Sequence, residues 1–268
     1  MATFFEIAIA SHPEAYGRQA AAAAFRELDR LEGELSRFID SSYIARANRL
    51  ACGESITVSP DVMECLLIAA DLTLATHRAF DPAYASERPA DLDPELPPFT
   101  LDPGAFLLTS RALRLHLDLG AVGKGYALDC LAAVLGEWGI TDACLNAGGS
   151  SVLALGSDLP ELTGWPVGLG AGDAYRTHAL HGNSLSGSGI AVQGAHLVDP
   201  RTGEAAPRTQ GVWALAPTAA QADALSTAFF ILSPAEIADL CAQHPAIGAA
   251  LTRDDGQLEL FGALAPGA

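Results

Sequence analysis

The apolar and polar positions of this chain change period several times, and each change predicts an element. Phe4 to Ala10 forms an apolar strand. After Pro13 the spacing becomes helical: Leu28, Leu31, Leu35 and Phe38 recur at three and four residues, with Arg26, Glu27, Asp29, Arg30 and Glu32 on the opposite face. Ile39 to Gly53 keeps no period and reads as loop. Ser59-Pro60-Asp61 is a helix start, combining a capping hydroxyl, proline at the first helical position and an acid at the positive dipole end. That helix runs to about His77. Residues 82–104 carry six prolines and several acids and predict a surface excursion. Leu113 to Leu119 reads as a strand, Gly120 to Gly125 as a glycine-rich turn. A helix follows from Tyr126, with Leu128, Leu131, Leu135 and Trp138 on one face and Gly139 as its C-cap.

The remainder is strand-rich. Ala143 to Leu145 is a short buried strand ending in Asn146-Ala147-Gly148-Gly149. Val152–Leu155, Pro166–Leu169, Thr177–Leu180 and Val212–Ala216 are further strands. Helices are expected over about Ala219–Leu232 and Pro234–Gln243. Ile247–Thr252 and Gln257–Phe261 form a closing hairpin around Asp254-Asp255-Gly256. No repeat, low-complexity tract or linker interrupts the mixture, so the expectation is one α+β unit over residues 1–268.

Composition narrows the function classes. Half of the 268 residues are hydrophobic, enough for a sizeable core. The net charge of −17 repels nucleic-acid phosphates and anionic lipid, so no nucleic-acid partner is expected. A phosphate ligand needs a local site or a metal. No apolar run reaches the ~20 residues of a membrane span. The first residues lack a signal peptide or lipobox, giving the expectation of a soluble, cytoplasmic chain. Cys52, Cys65, Cys130, Cys144 and Cys241 form no CxxC pair and read as buried free thiols.

Several segments carry candidate chemistry. Leu117-Asp-Leu-Gly-Ala-Val-Gly-Lys-Gly-Tyr126 puts glycines and a lysine between a strand and a helix, which suits a phosphate. Its spacing is neither a Walker A loop nor GxGxxG, so a structural turn fits equally well. Asn146 to Gly149 and Ser186-Gly-Ser-Gly189 are each compatible with simple turns. His196-Leu-Val-Asp-Pro-Arg-Thr-Gly203 places a histidine beside a polar turn with Arg201, an arrangement suited to proton transfer or to a satisfied core histidine. His178 and His181 read as surface histidines. Asp223 and Thr227 lie one helical turn apart in an apolar helix. They are hard oxygen donors fit for Mg²⁺, or a cap and a hydroxyl bonded back to a carbonyl.

In this order, the segments resemble the ApbE-like family, the FAD:protein FMN transferases. The resemblance covers most of the chain: Met1–Thr3, Leu28–Phe38 with Ser41 and Asn48, Ala79–Pro82, Leu117–Asp129, Asn146–Gly149, His196–Gly203 and Ala222–Ala228. It departs where the family has Asp after Asn-Ala-Gly-Gly and this chain has Ser150. It departs again at Ser186–Gly189 and in the shortened stretch between Pro82 and Leu113.

The resemblance implies a compact, T-fold-like α+β unit of mixed sheets with packed helices. It implies Mg²⁺-dependent transfer of FMN from FAD to a Ser or Thr hydroxyl of an acceptor flavoprotein, with release of AMP. An FAD pyrophosphatase and a non-catalytic FAD- or partner-binding relative are the alternatives. It further implies that Asp223, Thr227 and the Ala121 carbonyl hold the metal and that His196 transfers a proton. Gly120, Ala121, Val122, Gly123, Lys124, Asn146, Ala147, Gly148, Gly149, Ser188 and Asp199 are then the expected FAD contacts.

Overall fold

A computed structural model describes the chain except residues 1–2, 11, 94–95, 158–162, 171, 190–197, 207–210, 254 and 267–268. Its centre is a seven-stranded antiparallel sheet in the order β1-β5-β6-β9-β10-β11-β12. The strands are β1 (Phe5–Ile9), β5 (Ala143–Ala147), β6 (Ser151–Leu155), β9 (Asn183–Gly189), β10 (Gly211–Ala216), β11 (Gly248–Thr252) and β12 (Leu258–Gly262). A three-stranded sheet joins β2 (Ser55–Thr57), β4 (Leu107–Ser110) and β3 (Phe99–Asp102), and a two-stranded one joins β7 (Trp165–Leu169) and β8 (Arg176–Leu180).

Period-two alternation decides what covers each face of the large sheet. Along β10, Val212, Ala214 and Ala216 enter the main helical core, while Trp213 and Leu215 join a separate cluster with Leu169 and Leu180 of β7–β8. Helices therefore cover one face and the small ribbon the other. The helices are α1 (Glu14–Leu35), α2 (Tyr43–Ala47), α3 (Pro60–Ala75), α4 (Gly123–Glu137), α5 (Ala219–Ile231) and α6 (Pro234–Gln243). Leu128, Leu131 and Leu135 of α4 pack with Ala20 and Ala24 of α1 over Leu145 of β5. Helix α5 is buried almost all round, as its apolar sequence demands. Among the described residues, no helix is long and apolar enough to cross a membrane. All five cysteines are free; Cys65 and Cys241 are buried, and Cys52 is exposed.

Several elements differ from the sequence expectation. Among the described residues Leu113–Leu119 joins no sheet and makes one isolated bridge, Arg114 to Glu87. Leu115, Leu117 and Leu119 are buried as the alternation demands, yet the backbone bonds elsewhere. The Asn48 side chain takes both polar groups of Leu117, at 2.9 and 2.7 Å, and Asp118 N–H donates to the Pro82 carbonyl at 2.8 Å. The serine- and glycine-rich segment read as a turn at 186–189 is part of β9, in the middle of the sheet. Within 39–53, Ser42 caps the short helix α2. The proline-rich stretch contributes β3, and its Ala83 and Phe99 are buried. Helix α4 starts at Gly123, earlier than Tyr126, because the turn glycines wind directly into it. Helix α1 ends at Leu35, which leaves Phe38 78% exposed instead of completing the apolar stripe.

Candidate active site

Helices α4 and α5 cap one another. Asp129 of α4 accepts the Ala219 and Ala220 N–H groups at the start of α5, at 2.8 and 2.9 Å. Asp223 of α5 accepts the Gly125 N–H at the start of α4, at 3.2 Å. Each carboxylate thus meets the positive end of the other helix. The approach is close enough that a Cβ on Gly125 would run into the Ala219 carbonyl. Burial pushes the Asp129 carboxyl up to about 6, against the lowering effect of its two backbone donors.

The sheet completes the surroundings of Asp223. Ser151 of β6 donates to its Oδ1 at 3.0 Å, and Ser186 of β9 lies 3.4 Å away. Beneath them Ser226 donates to the Asp223 carbonyl at 2.8 Å and is 3.0 Å from Ser188. Asp223 is only 3% exposed, and a carboxylate so buried requires a cation. Lys124 supplies it: its Nζ lies 2.8 and 3.1 Å from the two carboxylate oxygens and 3.3 Å from the Gly120 carbonyl. Lys124 is the only lysine in the chain; the other fourteen of the fifteen Lys and Arg residues are arginines.

Two cavities meet at the Gly120 turn. The first, about 230 Å³, runs from Thr3, Arg37 and Phe38 to Gly123 and Lys124. The second, about 260 Å³, is bounded by Asp81, Tyr84, Ala121, Pro200 and Thr227. Asp118 and Gly120 line both. Asp118 is fixed between Arg37, 3.0 Å away, and the Gly120 N–H, which it accepts at 2.9 Å. A third cavity of about 390 Å³ lies across the Asp81–Pro82 wall and contains none of the expected site residues.

Gly120, Ala121, Gly123, Lys124 and Thr227 therefore lie on the cavity walls, with Asp223 behind Lys124. Val122 is buried beneath the turn. Asn146 to Gly149 closes the end of β5: Gly149 N–H donates to the Asn146 side chain at 3.0 Å, and Gly148 and Gly149 are both left-handed. A Cβ on Gly148 would collide with Thr3, so the turn reaches the first cavity through Thr3. Ser188 is inside the sheet. Asp199 grips Arg201 at 2.9 Å within the Val198–Ala205 turn, and this guanidinium holds its carboxyl below the usual range. His196 lies outside the described residues. Sequence reasoning did not assign roles to Arg37, Asp118, Ser151 or Ser186; the one available signal for the salt bridge was the solitary lysine.

A family model described as the ApbE family matches residues 1–251. The chain belongs to the ApbE family. Two curated relatives carry the name FAD:protein FMN transferase. One, from Rhodobacter capsulatus, is 26% identical over 96% of this chain and 54% of its own length. The other, from Escherichia coli K12, is 30% identical over 45% of this chain and 38% of its own. The chain thus spans about half the length of the first relative and less of the second. A solved structure, the flavin transferase ApbE from Vibrio cholerae, superposes with a TM-score of 0.82 over 98% of this chain and 94% of the other, at 19% identity. The α+β architecture is thus the ApbE fold, with α4 and α5 against the large sheet.

Proposed function

We propose that the protein transfers the FMN moiety of FAD to a Ser or Thr hydroxyl of an acceptor flavoprotein, releasing AMP, with Mg²⁺ as cofactor. The observation that carries this reading is the meeting of two cavities on a glycine-rich turn, beside a buried carboxylate that already holds a cation. Family membership and the name of the curated relatives supply the substrate class.

The donor set fits a divalent ion. Among the described residues no three His, Cys, Asp or Glu side chains gather to bind a metal, so a site built from them uses hydroxyl and carbonyl oxygens as well. Asp223, the Thr227 hydroxyl and the Ala121 carbonyl are all hard oxygen donors, the kind Mg²⁺ takes. The Lys124 ammonium, among two carboxylate oxygens and the Gly120 carbonyl, is a stand-in cation for that environment. Bound there, Mg²⁺ supplies Lewis-acid stabilisation of phosphate charge.

The remaining roles belong to the chain. The Gly120–Gly123 backbone and the first turn of α4 orient the pyrophosphate. Asn48 and Arg37 fix that turn through Leu117 and Asp118. The acceptor oxygen bonds to the FMN phosphorus as the bond from that phosphorus to the bridging oxygen breaks. The electron pair leaves with AMP, and the acceptor's proton passes to a base. The resemblance gives that role to His196.

Incubation with FAD, Mg²⁺ and candidate flavoproteins tests the reading, with in-gel flavin fluorescence, acceptor mass and AMP release as readouts. Acceptor mass rising by one FMN, with stoichiometric AMP, is the expected result. AMP and FMN appearing equally without any acceptor would make the protein a pyrophosphatase instead.

A further inference from the structure

Lys124 and a divalent ion cannot both occupy the same face of Asp223. The carboxylate is sealed between α4, α5 and the sheet. Its Oδ1 accepts from Lys124, Ser151 and, at 3.4 Å, Ser186, and its Oδ2 from Lys124 and the Gly125 N–H. Of these donors only the ammonium is on a long side chain, and that side chain is 20% exposed at the wall of the first cavity. The Gly125 amide and the serine hydroxyls belong to the packed frame. A cation arriving at Asp223 therefore has one group to displace.

We propose that Lys124 is a resident counter-ion that Mg²⁺ displaces from Asp223, so that metal entry delivers the ammonium into the first cavity, where the pyrophosphate is bound. This rests on the reading of Asp223 as a metal carboxylate. Exchange of one cation for another keeps the buried carboxylate neutralised throughout, which avoids the high cost of an uncompensated buried charge. Once released, Lys124 and Mg²⁺ repel each other across the turn unless an anion joins them. Metal alone then binds weakly, and metal with a diphosphate binds strongly.

The residue type supports the exchange. This chain uses arginine at every other basic position. A guanidinium would clasp the carboxylate through a planar fork, whereas an ammonium is a compact charge on a flexible stem. The displaceable group is the one place where lysine is retained.

The solitary lysine also makes the test direct. Protein labelled with ¹³C-lysine gives a single Cε–Hε signal set, that of Lys124. Titration with Mg²⁺ alone should move this signal, and adding FAD should move it again. By calorimetry, Lys124→Met should bind Mg²⁺ about tenfold or more tightly in the absence of FAD, because the competitor is gone, while Lys124→Arg should bind it more weakly than wild type. Mg²⁺ binding with an unmoved lysine signal and unchanged affinity in Lys124→Met would overturn the exchange but leave the metal site intact. Absence of Mg²⁺ binding to wild type and both variants, with and without FAD, would remove the metal reading as well and leave Lys124 a structural pin. The wild-type signal decides the matter even if Lys124→Met fails to fold.

Discussion

Asp223 accepts from an ammonium, a backbone amide and serine hydroxyls, so its replacement tests chemistry and architecture separately. Asp223→Asn keeps one acceptor oxygen but points amide hydrogens at groups that already donate. The expected cost is about 1–3 kcal/mol of stability in a denaturant titration, together with loss of the Mg²⁺ response. Thr227→Val removes only a neutral oxygen from a cavity wall, so Mg²⁺ affinity should weaken with little change in the unfolding midpoint. Equal Mg²⁺ curves for wild type and both variants would exclude these residues as ligands. Asp129 gives a pH-dependent prediction. Its folded value of about 6 lies above the ordinary 3.8, so the folded state holds the proton more tightly. Its contribution to stability is full below the ordinary value and is lost as pH rises through about 6. The stability of wild type relative to Asp129→Asn should fall across that window and level off above it. A pH-independent difference would refute the assignment.

Between elements, the reciprocal capping of α4 and α5 sets the position of the candidate site. Gly125→Ala places a methyl group against the Ala219 carbonyl and must push the helices apart. Overpacking of this kind costs about 1–3 kcal/mol, and FAD binding should fall with it. Gly136→Ala in the same helix, where a Cβ meets nothing, should fold at least as well as wild type. Unfolding midpoints of the two variants check both statements. Elements with local signals were legible in the sequence: Ser59 and Pro60 start α3, and the helix expected over about Pro234–Gln243 is α6. Strand β9 was not. Its serines are buried because they bond to Asp223, Ser151 and Ser226, partners that no local pattern reveals. Likewise Leu113–Leu119 has a strand's alternation, but the Asn48 side chain takes the place of a neighbouring strand. The glycine turn and the Asp223–Thr227 spacing were visible as separate motifs. The salt bridge joining them spans 99 residues of sequence.

For the whole molecule, the net charge of −17 opposes the approach of an anionic dinucleotide. With divalent ions chelated, raising ionic strength from about 10 mM to about 100 mM shortens the screening length from roughly 30 Å to roughly 10 Å. FAD affinity should therefore increase with NaCl, as measured by quenching of flavin fluorescence. A decrease would mean that Lys124 and Arg37 dominate the field at the site.

The first strand of the sheet has an unusual timetable. Among the described residues β1 pairs with β5 alone, with Ile9 opposite Ala143, so that partner is synthesised long after it. Chains growing on the ribosome carry β1 as an unpaired apolar segment until the residues up to Ala143 have been made, and such segments invite wrong pairings. Thr3, just ahead of that strand, lines the first cavity, and Asp223 arrives later still. Thr3 on the cavity wall and the carboxylate behind Lys124 are thus made far apart in time. A chain released early, even one that has folded α1 and α3, would expose a sticky edge and have no site to show for it.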